Sequence, residues 1–330
     1  MGRDGAVPWD RTAMMRRALL GAALATPALA QWAPARPIRL VVPFAAGGAA
    51  DNGARAIGGR IAETLGQPVV VENRGGGAGA IAANAVLDAP ADGHTLLWGG
   101  QAIFTTNPHM YERLSYRPEA FIPVSAGNRL PLVLHVHPAF PARDLAEWVA
   151  LMRREPGRHS YGTVGRGGMT HVFGELAEAT MGIDLQDVPY RGSGPMLADA
   201  IAGNIRMCFD GILPAITHHR AGSLRILAVS SAQRLASAPD IPTFAEAGWP
   251  QLTAYLWFGL FAREGTPPAA VARISEAVRE AATRPDIRER MARDGAEPTG
   301  STPEELAALI RHEYALWGGV IRRAGIRLTE

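Results

Sequence analysis

The sequence contains no lysine; all 33 of its basic side chains are arginine. That excludes a phosphate-binding P-loop lysine, a Schiff base to a carbonyl or pyridoxal, and a lysine general base. Cysteine is nearly absent too. Cys208 stands alone, so the chain has no intrachain disulfide and no thiolate metal site. It sits in the apolar run 205–209, where a buried structural thiol is expected. No apolar run reaches the ~20 residues needed to span a bilayer. What is present is the composition of a globular chain with a substantial core: 330 residues, 47% hydrophobic and 19% charged.

The first 30 residues read as an export signal. Arg11, Arg16 and Arg17 precede the short apolar run 18–25, and a small-residue cleavage site follows at Ala28-Leu29-Ala30. The arginine pair fits either general secretory or twin-arginine export. This segment carries four of the 33 arginines and two of the 31 acidic residues, so the remainder balances at 29 of each. The formal excess of +2 therefore belongs to the signal, and nucleic acid is not an expected partner.

The rest alternates apolar strands with helical patterns. Strands are expected at 37–44, 68–73, 95–98, 131–136, 159–163, 205–209, 224–230 and 254–262. Helical periodicity follows at about 52–65, up to 87, 144–154, 170–181, 195–202, 269–282, 285–294 and 303–324. Alternation of this kind predicts an α/β fold with largely parallel sheets flanked by helices.

Glycine turns recur where the strands end. They are Gly47-Gly48, Gly75 to Gly79, Gly165 to Gly168, Gly192 to Gly194, and Asp210-Gly211. Ligands of open α/β sheets bind at the carboxyl ends of the strands. Glycine allows close backbone approach there, and a helix N-terminus offers free N–H groups and a positive dipole. The expected guest is a small anion gripped between two lobes.

Competing chemistries lack their signatures. The first turn, Gly47-Gly48-Ala49-Ala50-Asp51-Asn52-Gly53, misses the G-x-G-x-x-G spacing of a dinucleotide site, although Glu72 ends the second strand. Gly192-Ser193-Gly194 is not a nucleophile elbow. His218-His219 and His135-Val136-His137 lack partners at metal-ligand spacing and are expected to face outward; His171 follows a glycine turn and can cap its helix or touch a ligand. No catalytic residue, metal or cofactor is expected.

In this order, the segments resemble the substrate-binding receptors of tripartite tricarboxylate transporters, the Bug family. Those segments are 37–51, 69–79, Asp92-Gly93-His94-Thr95-Leu96-Leu97, Tyr161-Gly162-Thr163, Val188-Pro189-Tyr190-Arg191-Gly192, Phe209-Asp210, 239–248, Gly265-Thr266-Pro267 and Ala324-Gly325-Ile326. The resemblance implies a two-lobed, Venus-flytrap periplasmic binding protein, monomeric, with 31–124 and 245–330 in lobe 1 and 125–244 in lobe 2. It implies a small carboxylate ligand, a di- or tricarboxylate or a relative of one. The implied partner is the membrane permease, or alternatively a sensor kinase; an exported enzyme of unknown activity is the remaining alternative. Amides of the first two loops would hold one carboxylate, often with water. That assigns Phe44, Gly47, Gly48, Ala49 and Asp51 to the first loop and Gly76, Gly77, Ala78 and Gly79 to the second. The second lobe would contribute Thr163, Gly165, Arg166, Gly167, Gly168, Tyr190, Gly192, Ser193 and Asp210. Three positions depart from the family pattern: Gly168 where a hydroxyl is usual, Arg166 as an added charge, and Ala78 where glycine is common.

Overall fold

The computed structural model describes residues 32–293 and 295–328. The expected export signal lies outside the described residues. Strand β1 (Ile38–Val42) is an Ile-Arg-Leu-Val-Val run buried at four of five positions, as befits a central parallel strand. It pairs in parallel with β2 (Val69–Asn73) and β3 (Thr95–Gly100). Helix α1 (Ala49–Leu65) covers one face, placing Ala54, Ile57 and Ile61 against Ile38, Leu40 and Val42. Helix α2 (Ala80–Leu87) covers the other, where Ala83 and Val86 meet Val41 and Leu97. Two short helices, α3 (Gln101–Thr105) and α4 (Asn107–Met110), lead on to β4 (Phe121–Val136).

Strand β4 is 16 residues long, far beyond the expected 131–136. Pro123, Gly127 and Pro131 disguise it in the sequence, because proline and glycine usually interrupt strands. The ladder absorbs them with register shifts at Pro123/Ser125 and Ala126/Asn128. Gly127 is obligatory here, since an added Cβ would lie 2.1 Å from the Trp98 ring. Through Pro131, β4 pairs with β9 (Tyr255–Arg263); from Leu132 it pairs instead with β7 (Met207–Gly211) and β8 (Arg225–Val229). One strand thus serves two sheets.

The second sheet adds β5 (Ser160–Thr163) and β6 (Gln186–Pro189), parallel to each other, with β5 also parallel to β7. Its helices are α5 (Leu145–Arg154), α6 (Met169–Met181), α7 (Ser193–Ala202) and α8 (Ile212–Arg220). The chain returns through β9 and finishes with α9 (Pro268–Thr283), α10 (Pro285–Arg293), β10 (Glu297–Pro298) and α11 (Pro303–Ala324). Helix α11 ties the sheets together. Leu306 packs beside Phe104 and Phe261 of the first core, and Trp317, Val320 and Ile321 pack in the second beside Leu134, Trp148 and Phe209.

The architecture is mixed α/β, two sheets with flanking helices, as expected. Parallel pairs are limited to β1, β2 and β3 and to β5, β6 and β7; the crossing strands β4 and β9 pair antiparallel. No helix among the described residues is long and apolar enough to cross a membrane. Cys208 is fully buried. His135 is also fully buried rather than outward-facing, and burial pushes its imidazole down to about 3, so it stays neutral.

Candidate functional site

A cavity of about 720 Å³ lies between the two sheets. Glycine starts every helix that meets its wall. Gly48 precedes α1, Gly100 precedes α3, Gly168 precedes α6, Gly192 precedes α7 and Gly211 precedes α8; none of the five helix starts carries a side-chain cap. The first N–H groups of a helix have no intrahelical acceptor, so each start directs unclaimed donors toward the cavity. An anion held there gains roughly 0.3–1 kcal/mol from each long helix by dipole alone.

The first loop is pinned from below. Asp51 is 3% exposed, and its Oδ2 accepts the Gly47 N–H at 2.9 Å and the Arg55 Nε at 3.0 Å. Its Oδ1 accepts from Asn73 Nδ2 at 3.0 Å, and the same amide donates to the Phe44 carbonyl. Burial alone would raise the Asp51 carboxyl, but hydrogen bonds from Arg55, Gly47 and Asn73 hold it below its ordinary value. Asp51 is therefore occupied in the loop's own structure and is not among the residues that line the cavity.

Among the expected site residues, Phe44, Gly47, Gly48, Ala49, Gly168, Gly192, Ser193 and Asp210 come together on the wall. Phe44, 40% exposed, meets Phe258 edge to face with centroids 5.7 Å apart. Gly168 must be glycine in this backbone: an added Cβ would sit 2.6 Å from the Val164 carbonyl oxygen. The hydroxyl side chain usual there would not fit this conformation.

The others stand off the wall. Gly76, Gly77, Ala78 and Gly79 form a turn with four successive positive φ angles, in which Ala78 (φ 51) is the one non-glycine residue of that kind among those described. Such a conformation costs an alanine about 1–2 kcal/mol. Asn107 Nδ2 braces it by donating to the Ala78 carbonyl at 2.8 Å. This loop runs beside the first one without walling the cavity. Thr163, the last residue of β5, is fully buried within the second sheet, and the Tyr190 hydroxyl donates to Asp199 Oδ2 at 3.0 Å. Gly165 and Gly167 shape the turn behind Gly168, and the Arg166 side chain is exposed to solvent. His171 serves that turn as well: it is 2% exposed and its Nδ1 accepts the Gly167 N–H at 3.0 Å.

Sequence patterns missed the apolar wall. Leu130 from β4 and Leu256, Trp257 and Phe258 from β9 line the cavity, with Met169, Leu213 and Pro214 opposite. Read along the chain, these residues look like ordinary core. Gln101 was missed too; glycines before it and a short helix after it were its signal. The Glu313 carboxylate, on α11 behind the wall, accepts from Gln101 Nε2 and from Trp257 Nε1 at 2.7 Å. Burial pushes Glu313 up to about 7 against these hydrogen bonds.

Asp210 is the ionisable side chain on the wall. Its Oδ1 accepts from Ser193 Oγ and from the Gly211 N–H, both at 2.8 Å, while Oδ2 is buried with no partner. Burial raises it to about 7 despite those two hydrogen bonds. No arginine or histidine side chain lines the cavity. No cluster of three or more histidine, cysteine or acidic side chains suited to a metal occurs among the described residues.

Comparison with known proteins agrees with this geometry. Residues 54–326 match the family described as tripartite tricarboxylate transporter family receptor. The Bordetella pertussis protein BugT is 34% identical over 309 residues, covering 93% of this chain and 95% of its own length. A structure described as a periplasmic transporter is 38% identical, with a TM-score of 0.80, covering 89% of this chain and 99% of that one. An R. palustris protein solved with adipate is 34% identical, with a TM-score of 0.81, covering 90% of this chain and 99% of that one. These relatives are two-lobed solute-binding proteins rather than enzymes, and the chain belongs to the tripartite tricarboxylate transporter receptor family.

Proposed function

We propose that this protein captures a small organic acid in the periplasm and delivers it to the membrane permease of a tripartite tricarboxylate transporter. The observation that carries the reading is the convergence of uncapped, glycine-started helices from both sheets on one cavity. Backbone N–H groups and dipoles replace the water around a carboxylate, and no side chain of the wall is placed for nucleophilic chemistry. A volume of about 720 Å³ suits a small molecule enclosed on most sides. The adipate in the R. palustris relative supports a carboxylate as the guest.

Closure follows from the connections. We propose that the lobes divide where β4 changes partners, between Pro131 and Leu132, and where the return strand begins at Tyr255. Bending there would bring Ser193 and Asp210 toward Gly48 and Ala49 around a bound acid, and the closed form would dock on the permease. Titration calorimetry of the exported protein against a panel of organic acids, with NAD as control, tests the reading. Micromolar or tighter binding of a carboxylate without turnover supports it. Binding of NAD and of no carboxylate overturns it.

A further inference from the structure

The wall of the cavity is mostly apolar, with few polar side chains. Thr170 Oγ1 accepts the Val164 N–H at 2.8 Å, and Ser193 donates its hydroxyl to Asp210. Two oxygens remain without a partner, Asp210 Oδ2 on the second lobe and Gln101 Oε1 on the first; both residues are 2% exposed. The Gln101 amide is oriented by Glu313, which takes its NH₂ group and leaves the oxygen unclaimed. Ser193 and Gly211 likewise occupy Asp210 Oδ1 and leave Oδ2. A buried acceptor without a donor is costly to leave unpaired, and a ligand that supplies the donor recovers that cost.

Resting on the carboxylate-capture reading, we propose that this cleft selects acids whose far end is a nitrogen hydrogen-bond donor, a primary amide, over acids that end in a second carboxylate. Backbone amides hold the near carboxylate, the apolar wall covers the body, and the far N–H groups meet Asp210 Oδ2 and Gln101 Oε1. A second carboxylate instead sets another negative charge against Asp210 Oδ2, and no cationic side chain lines the cavity to offset it.

The surroundings of Asp210 set the pH behaviour. On its own strand Cys208 remains a thiol, pushed up to about 12 by burial, and across the sheet His135 is neutral. On α7 the facing group is the Ser193 hydroxyl, and Asp199 is turned toward Tyr190. From the first lobe, Glu313 stands behind Gln101. A diacid therefore binds better as pH falls and Asp210 takes up a proton, which lets Oδ2 donate. A monoamide does not gain in this way.

Matched pairs of four to six carbons test the idea by calorimetry, each pair a diacid and its monoamide; adipate and its monoamide are the longest. At pH 8 we expect the better-fitting monoamide to bind at least ~10-fold more tightly than its diacid, a difference of ~1.4 kcal/mol. The gap should narrow at pH 6, and Asp210→Asn, which puts an NH₂ in place of one oxygen, should invert the preference. The wild-type pH series stands without the variant if the variant fails to fold. A diacid that binds as tightly as its monoamide at pH 8, or a preference unmoved by Asp210→Asn, overturns the proposal. Absence of binding by every acid in the series would instead defeat the carboxylate-capture reading itself.

Discussion

Helices that start at the cleft and most of those that start away from it are finished differently; α2, which begins on Gly79 off the wall without a side-chain cap, is an exception. At the outer surface α5 begins on Asp144, whose carboxylate accepts the Glu147 N–H at 2.8 Å. Helix α11 begins with a full capping box: Thr302 accepts from the Glu305 N–H, and Glu305 accepts from the Thr302 N–H. Helices α9 and α10 begin on prolines, which have no N–H to satisfy. At the cleft α1, α6, α7 and α8 begin on glycine with no side chain in the capping position. A side-chain cap is an internal ligand for the helix end. Leaving it out at four converging ends keeps those donors free for a guest.

The largest effect is expected where the two regimes meet. Asp51 lies in the first turn of α1, yet it serves the loop that precedes the helix. Asp51→Ala removes the acceptor for the Gly47 N–H, Arg55 and Asn73 together. Hydrogen bonds to a buried charge are worth about 1.5–3 kcal/mol, so urea unfolding should show a loss of about 3 kcal/mol. Carboxylate affinity should fall as well, because the first loop is then unpinned. A loss below ~1 kcal/mol with unchanged affinity would show that this loop holds itself.

A smaller and more selective effect is expected at Gly168. In Gly168→Ala the new Cβ meets the Val164 carbonyl oxygen at 2.6 Å and the Gly165 carbonyl oxygen at 3.1 Å, both backbone atoms that cannot rotate aside. The turn must shift, moving the start of α6 at the cavity wall. Carboxylate binding measured by calorimetry should weaken at least ~10-fold, or ~1.4 kcal/mol. Unchanged affinity would remove the α6 start from the site.

How legible was this in the sequence? Elements bounded by strong punctuation were read to the residue. Helix α11, opened by Pro303 and closed by Gly325 in the left-handed region, matches the expected 303–324. Strand β4 was cut short because Pro123, Gly127 and Pro131 argue locally against a strand; the bulges and the Trp98 contact that accommodate them are long-range facts. The glycine turns were visible because each needs a residue type that short-range geometry dictates. The apolar wall was invisible because Leu256, Trp257 and Phe258 face the cavity from a strand that reads like any buried one. The role of Asp51 was hidden too, since its partner Asn73 is 22 residues away.

The outer regime supplies the control that gives the comparison its force. Thr302→Ala deletes the oxygen that receives the Glu305 N–H and dismantles the capping box of a 22-residue helix. Losing such a cap costs about 1 kcal/mol. The helix it starts nevertheless carries Glu313, which orients Gln101 and Trp257 at the cavity wall, and Trp317 in the second core. If caps stabilise helices and uncapped ends bind the guest, Thr302→Ala should lower stability by that amount in urea unfolding. Its carboxylate Kd should stay within about twofold of wild type, because Glu313 lies nearly three turns from the frayed end. A change in affinity larger than the change in stability would mean that α11 transmits its N-terminal state to the cleft, and that the two regimes are coupled rather than separate.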